Sequence, residues 1–265
     1  MGQFECYTMR TQFAAICLLM AIVCGCRGQT SHTTTRSKPA LVLWAWDRTE
    51  DLRFLKPGEA EVAALMATVQ LRGGRADMRR RRLPLFVTPG VPLTAVVRLE
   101  SDGSELPPVD RFAEEIENLT IGNFDSLQID FDAKQSQQDW YRALLLRFGP
   151  LYRQRETGAP QYRSRAIGNV SITALASWCV DRPWFDNVRP NIREVVPMLF
   201  RMGPHRVDLL KRIARQKDFA EGCRGAVGVS MDEPLPWYPP ANRIYIFNPT
   251  PWTKEAFDQA CARWH

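Results

Sequence analysis

The chain has 265 residues, with 35 Lys and Arg against 29 Asp and Glu, a formal charge of +6, and only 3 histidines beside 7 cysteines. No Cys-x-x-Cys pair, His cluster or cofactor fingerprint is present, so no metal and no cofactor is expected. Removing a leader leaves about 240 residues, enough for one large single-core domain and close to the size of a (β/α)8 barrel.

The leader is read from charge and hydropathy. Arg10 precedes an apolar run from Phe13 to Val23 that is too short to span a bilayer comfortably and is followed by small residues. Met9 offers an alternative start. Val23-Cys24-Gly25-Cys26 resembles a bacterial lipobox; Cys26 fits the lipidated position, whereas Cys24 does not, because Val23 is too large for the place before the cut. Simple secretion with cleavage nearby is the plainer alternative. Residues 1–26 are thus expected to be a signal peptide with lipobox, residues 27–39 a polar tether, and residues 40–265 the folded domain. The expected location is the bacterial cell envelope, lipid-anchored and facing the periplasm. Nucleic acid is not an expected partner there, and an oxidising compartment allows Cys179, Cys223 and Cys261 to form a disulfide. Cys179 with Cys223 is the preferred pair, with buried free thiols as the alternative.

In chain order, LVLWAW from Leu41 and ALMATVQL from Ala64 read as strands. Next comes the densest basic run, Met78 to Arg82, expected as a solvated hairpin tip or, alternatively, as a contact for anionic envelope polymers. LPLFV from Leu83 is expected to return from that tip as the second arm of the hairpin. TAVVRLE from Thr94 and LQIDFDA from Leu127 are further strands, separated by the helical pattern VDRFAEEIENL. SQQDWYRALLLRF, capped at Ser136, leads to VSITALASW from Val170 and VVPMLF from Val195. HRVDLLKRIARQ is helical, AVGVSM from Ala226 and RIYIFN from Arg243 are strands, and TKEAFDQACARW, capped at Thr253, closes the chain. Strands alternating with helices predict a parallel sheet with crossover connections. The expected fold is a single (β/α)8 TIM-type barrel with an extra β-hairpin near residues 64–88. An open doubly wound sheet is weakened by the lack of a glycine-rich phosphate loop after the first strand.

Polar residues gather at the carboxyl ends of these strands, where such barrels carry their sites. Trp46 ends the first strand, Arg98 the third, Asp130 and Asp132 the fourth, and Trp178 the fifth. Arg201 follows the sixth, Asp232 and Glu233 the seventh, and Asn248 and Trp252 the eighth. Within the fourth strand the period of two sends Leu127, Ile129 and Phe131 to the helices and Gln128, Asp130 and Asp132 to the barrel axis. Paired acids there require a cation or a held proton, and Arg98 and Arg201 are the expected cations. Carboxyls ringed by tryptophan and arginine suit carbohydrate chemistry, since flat aromatic faces hold sugar rings. An Arg/Asp network that merely fills the barrel is the plainer alternative. Of Trp44 and Trp46, which share a face, only Trp46 is expected to touch ligand.

Taken together, LWAWDRTEDLRFL, LQIDFDAKQS, SITALASWC, VPMLFRMG, VGVSMDEP and RIYIFNPTPWT resemble a family of bacterial exported proteins catalogued as a domain of unknown function. The resemblance covers essentially the whole mature chain and implies a barrel similar to those of glycoside hydrolases. More distantly, Asp130 and Asp132 are similar to the alternating acids of family 18 chitinases, but Lys134 stands where the catalytic glutamate would be. Retaining glycosidases of the cellulase type place their two carboxyls after strands four and seven, which here are Asp132 and either Asp232 or Glu233. The family resemblance implies the barrel alone; from the strand-end residues themselves, the expected function is hydrolysis of an envelope glycan through these carboxyls, with Asp130, Arg98, Arg201 and Gln128 behind them and Trp46, Trp178, Asn248 and Trp252 as sugar contacts. A lipoprotein that binds a glycan or an envelope partner without turnover is the alternative.

Overall fold

The computed structural model describes residues 38–120, 122, 124–149 and 168–264. The expected signal peptide, Cys26 and most of the tether lie outside the described residues. Among these the strands are, in chain order, β1 (Ala40–Ala45), β2 (Glu50–Leu52), β3 (Glu61–Arg72), β4 (Arg75–Arg80), β5 (Leu85–Val87), β6 (Leu93–Ser101), β7 (Ser126–Phe131), β8 (Val170–Leu175), β9 (Glu194–Met198), β10 (Gly225–Ser230) and β11 (Ala241–Phe247). The helices are α1 (Val109–Leu119), α2 (Gln138–Phe148), α3 (Arg206–Gln216) and α4 (Lys254–Trp264).

β1, β11, β10, β9, β8, β7, β6 and β3 pair in that order, each parallel to its neighbour. β3 then pairs in parallel with β1, which closes the ring. The protein is a (β/α)8 TIM-type barrel, and its eight barrel strands coincide with the eight read from hydrophobic runs. Strands covered on both faces explain those near-continuous apolar runs.

The period of two sorts the side chains into two cores. Leu127, Ile129 and Phe131 join the layer between strands and helices, with Phe112 and Ile116 of α1 and Leu144 and Phe148 of α2. Val42, Trp44, Ala63, Leu65, Val96, Val196, Ala226, Tyr245 and Phe247 fill the barrel interior. At the amino ends of the strands an ionic floor lies below them. Arg243 donates two 2.6 Å hydrogen bonds to the Glu61 carboxylate and pairs with Glu194 at 3.2 Å, and the Tyr245 hydroxyl donates to Glu194 at 2.6 Å. Burial alone would lower the Arg243 pKa, but its hydrogen bonds to Glu61 and the charge of Glu194 raise it above the ordinary value. An arginine network therefore does fill the barrel, at the end away from the paired aspartates and with glutamates as partners.

The expected hairpin near residues 64–88 is present as β3 and β4, and three local expectations are corrected. The basic run is not a hairpin tip: Arg75–Arg80 is β4, antiparallel to β3, and Gly73 and Gly74 make the turn with φ of 53° and 72°. Both turn positions need positive φ, which glycine supplies without steric cost, so the glycine pair decides where the chain reverses. LPLFV does not return along β3 either; β5 pairs in parallel with β2 in a separate two-stranded sheet. Ser136 does not cap α2, because a 3-10 turn over Gln135–Gln137 precedes the helix. Thr253 does cap α4, its hydroxyl accepting from the Ala256 backbone N–H at 3.2 Å.

Cys179, in the turn after β8, is disulfide-bonded to Cys223, just before β10, with Cα atoms 5.7 Å apart. Both are fully buried, whereas Cys261 of α4 is a half-buried free thiol.

Candidate functional site at the barrel mouth

A cavity of about 1060 Å³ opens at the carboxyl ends of the barrel strands. Its floor is built by parity. Gln128 points inward from β7 and is fully buried; its side-chain oxygen accepts from Trp44 Nε1 at 2.7 Å, and its amide nitrogen faces Ser171 Oγ at 3.3 Å. One layer higher, Asp130 accepts from the Thr173 hydroxyl at 2.7 Å and lies 3.5 Å from Arg98 Nη1. Asp132 follows just past the end of β7, on the same parity, and lines the cavity.

The two aspartates differ in their surroundings. Burial pushes the Asp130 pKa up, partly offset by the Thr173 hydrogen bond and the Arg98 charge. Asp132 reaches solvent within the cavity, yet the crowding walls raise its pKa, and the charge of Asp130 raises it further. Asp132 has no hydrogen bond or ion pair with a described residue. It is therefore a carboxyl that holds its proton to higher pH than an ordinary aspartate does. Arg98 is the cation expected for this pair, but Glu100 shares it at 2.8 Å, and Gln70 in turn donates to Glu100.

Aromatic rings form the opposing wall. Phe247 stacks on Phe200 with centroids 5.6 Å apart, and Trp46 meets Phe247 edge-on at 5.8 Å. Arg98 lies over Trp46 at 5.4 Å and Arg201 over Phe247 at 4.9 Å, so a guanidinium flanks each end of the shelf. Trp44 lies beneath, 4% exposed, as a core residue at the cavity floor.

Several expected site residues stand elsewhere. Asp232 and Glu233 do not line the cavity; both are paired with Arg201, at 3.6 and 3.9 Å, and Asp232 also accepts from Ser230. Arg201 does line it, but its carboxylate partners are these two acids instead of Asp130 and Asp132. Trp178 packs edge-on against Trp184, at 5.4 Å, in the outer layer. Trp252 is buried, with its indole N–H donated to the Trp44 carbonyl at 2.9 Å. Asn248 is buried too, its carbonyl accepting from Arg48 at 2.7 Å. None of these three lines the cavity, although Leu175, Ala176 and Ser177 just before Trp178 do. Lys134 lies outside the cavity lining. Conversely, Phe247 was legible from parity, as it shares a face with Arg243 and Tyr245 of β11. Asp47, past the end of β1, lines the cavity and, among the described residues, pairs only with the exposed Arg79, at 3.5 Å. Phe200 lies past the end of β9, where strand parity gives no direction.

Among the described residues no group of His, Cys, Asp and Glu is arranged to hold a metal ion. No family model, curated protein or solved structure matches the chain. The class of the protein is accordingly that of its fold, a TIM-type barrel with an acid- and aromatic-lined mouth, and the site is read from its own residues.

Proposed function

We propose that the barrel mouth is a glycan site and that the protein hydrolyses a glycosidic bond there, with Asp132 as the general acid that protonates the leaving oxygen. The observation that carries this reading is an unpaired, raised-pKa carboxyl facing a roomy cavity walled by Trp46, Phe200 and Phe247. A carboxyl that is protonated more readily than usual can give its proton to a leaving oxygen, and aromatic faces accept sugar rings. Asp130, held by Thr173 and Arg98, supplies the neighbouring charge that keeps the Asp132 proton in place. The second carboxyl is Asp47: β1 is three steps round the ring from β7, across the mouth, and a single exposed arginine leaves Asp47 free to orient water.

The apolar leader, the Cys26 lipobox and the disulfide between Cys179 and Cys223 support an envelope lipoprotein facing the periplasm, so the glycan belongs to the envelope. Loss of membrane association in Cys26→Ser is the readout for that location.

One observation favours a second reading, in which the mouth binds a glycan without turnover. Asp232 and Glu233, the acids that would complete a pair with Asp132 from β10, are engaged by Arg201. Incubating the wild type and Asp132→Asn with envelope glycans and measuring released reducing ends separates the two. Hydrolysis predicts a loss of about 10²–10⁴-fold in the variant with binding retained. Binding alone predicts no release by either protein and an affinity that falls in Trp46→Ala.

A further inference from the structure

Arg201 is unusual among the residues of the mouth. It stands just past β9 at φ 53°, in the left-handed region that residues other than glycine seldom occupy. Such a conformation persists only where its surroundings over-determine it. Here the Arg201 backbone N–H points at both carboxylate oxygens of Glu233, at 3.1 and 3.2 Å. Its guanidinium lies over the Phe247 ring and is faced by Asp232 and Glu233 at 3.6 and 3.9 Å. These separations are longer than hydrogen bonds, and the guanidinium donates to no described residue. A flat fork of N–H groups is thus held at the cavity edge, 56% exposed, with its donors unspent.

Glycine would make this turn without strain, and the turn itself needs no guanidinium. What arginine adds is the planar pair of donors. Two carboxylates already offset its charge, so a neutral oxygen acceptor suits it better than an anion. From this we infer that Arg201 is a ligand-contacting specificity residue, donating paired hydrogen bonds to adjacent hydroxyl or carbonyl oxygens of a neutral sugar. Asp232 and Glu233 are then positioning residues that hold it over the shelf. The inference rests on the glycan reading of the same cavity, and it assigns to the two acids a task other than reaction with substrate.

The test is calorimetric titration of cellohexaose and of the N-acetylglucosamine hexamer into the wild type, Arg201→Gly, Arg201→Lys and Trp46→Ala, with thermal melts of each. Arg201→Gly relieves the strained φ while losing the ion pairs, so its Tm stays within about 5 °C of the wild type. Its Kd for the better-bound hexasaccharide rises about ten- to a hundredfold. Arg201→Lys recovers little of the affinity, because an ammonium lacks the fork. Wild-type affinity in Arg201→Gly alongside weakened binding in Trp46→Ala would overturn the inference and leave the glycan site standing. A larger fall in Tm would make Arg201 a structural brace and also overturn it. Failure of both hexasaccharides to bind the wild type would bring down the glycan reading and the inference together.

Discussion

Asp132 and Asp130 sit two residues apart on one face, yet their surroundings separate them. Asp130 has a hydroxyl donor and an arginine; Asp132 has neither in contact and is crowded by the cavity walls. The sign of the resulting pH dependence follows. Because the folded-state pKa of Asp132 is raised, its favourable contribution is complete below the unfolded value of about 3.9 and is lost as pH rises through the folded value. Asp132→Asn is therefore expected to raise Tm at pH 7, and the gain to vanish near pH 3. Thermal melts across that range are the check, and a gain of equal size at both pH values would contradict the assignment. The parity of LQIDFDA made this face readable from the sequence. The different partners of its two acids were not readable, because Thr173 comes from another strand.

At the scale of elements, the barrel interior is packed by complementary sizes on facing strands. Gly228 of β10 lies beneath the Trp44 indole of β1, and a Cβ at that position would meet Trp44 Cη2 at 2.9 Å. Gly228→Ala is expected to cost about 1–3 kcal/mol through overpacking, read by denaturant unfolding with an unchanged m-value. It is also expected to tilt the Trp44 ring away from Gln128, which a loss of indole N–H protection would report. Hydrophobic runs located all eight barrel strands because each strand is buried on both faces. The same logic fails past the strand ends. Trp178, Asn248 and Trp252 are residues of the expected chemical type, but irregular backbone has no period to set their direction; Trp178 and Trp252 pack in the outer layer, and none of the three lines the cavity. The expected hairpin near residues 64–88 is present as β3 and β4, but its tip differs for a related reason: positive charge does not fix the position of a turn, whereas a pair of positive-φ glycines decides a two-residue turn.

At the scale of the whole molecule, the disulfide joins the turn after β8 to the segment before β10, closing a loop with a sequence separation of 44. In the chain-entropy account a loop of that length contributes about 4 kcal/mol by restricting the unfolded chain. Cys179→Ala with Cys223→Ala is expected to lower stability by about that amount in equilibrium unfolding. The location of the cavity follows from the architecture, since parallel strands deliver their carboxyl ends to a single mouth. The partners of the acids do not, because they depend on which loops fold over that mouth; here Arg201 folds towards Asp232 and Glu233. The central claim is that Asp132 holds a proton at a glycan site. It is tested most directly by titrating the Asp132 carboxyl, using carbon-13 NMR of the labelled protein, with and without the N-acetylglucosamine hexamer or cellohexaose. The account predicts a midpoint above the ordinary carboxylate value of about 3.9, moving further up as sugar displaces water from the cavity. A midpoint at or below that value, unmoved by either sugar, would contradict it.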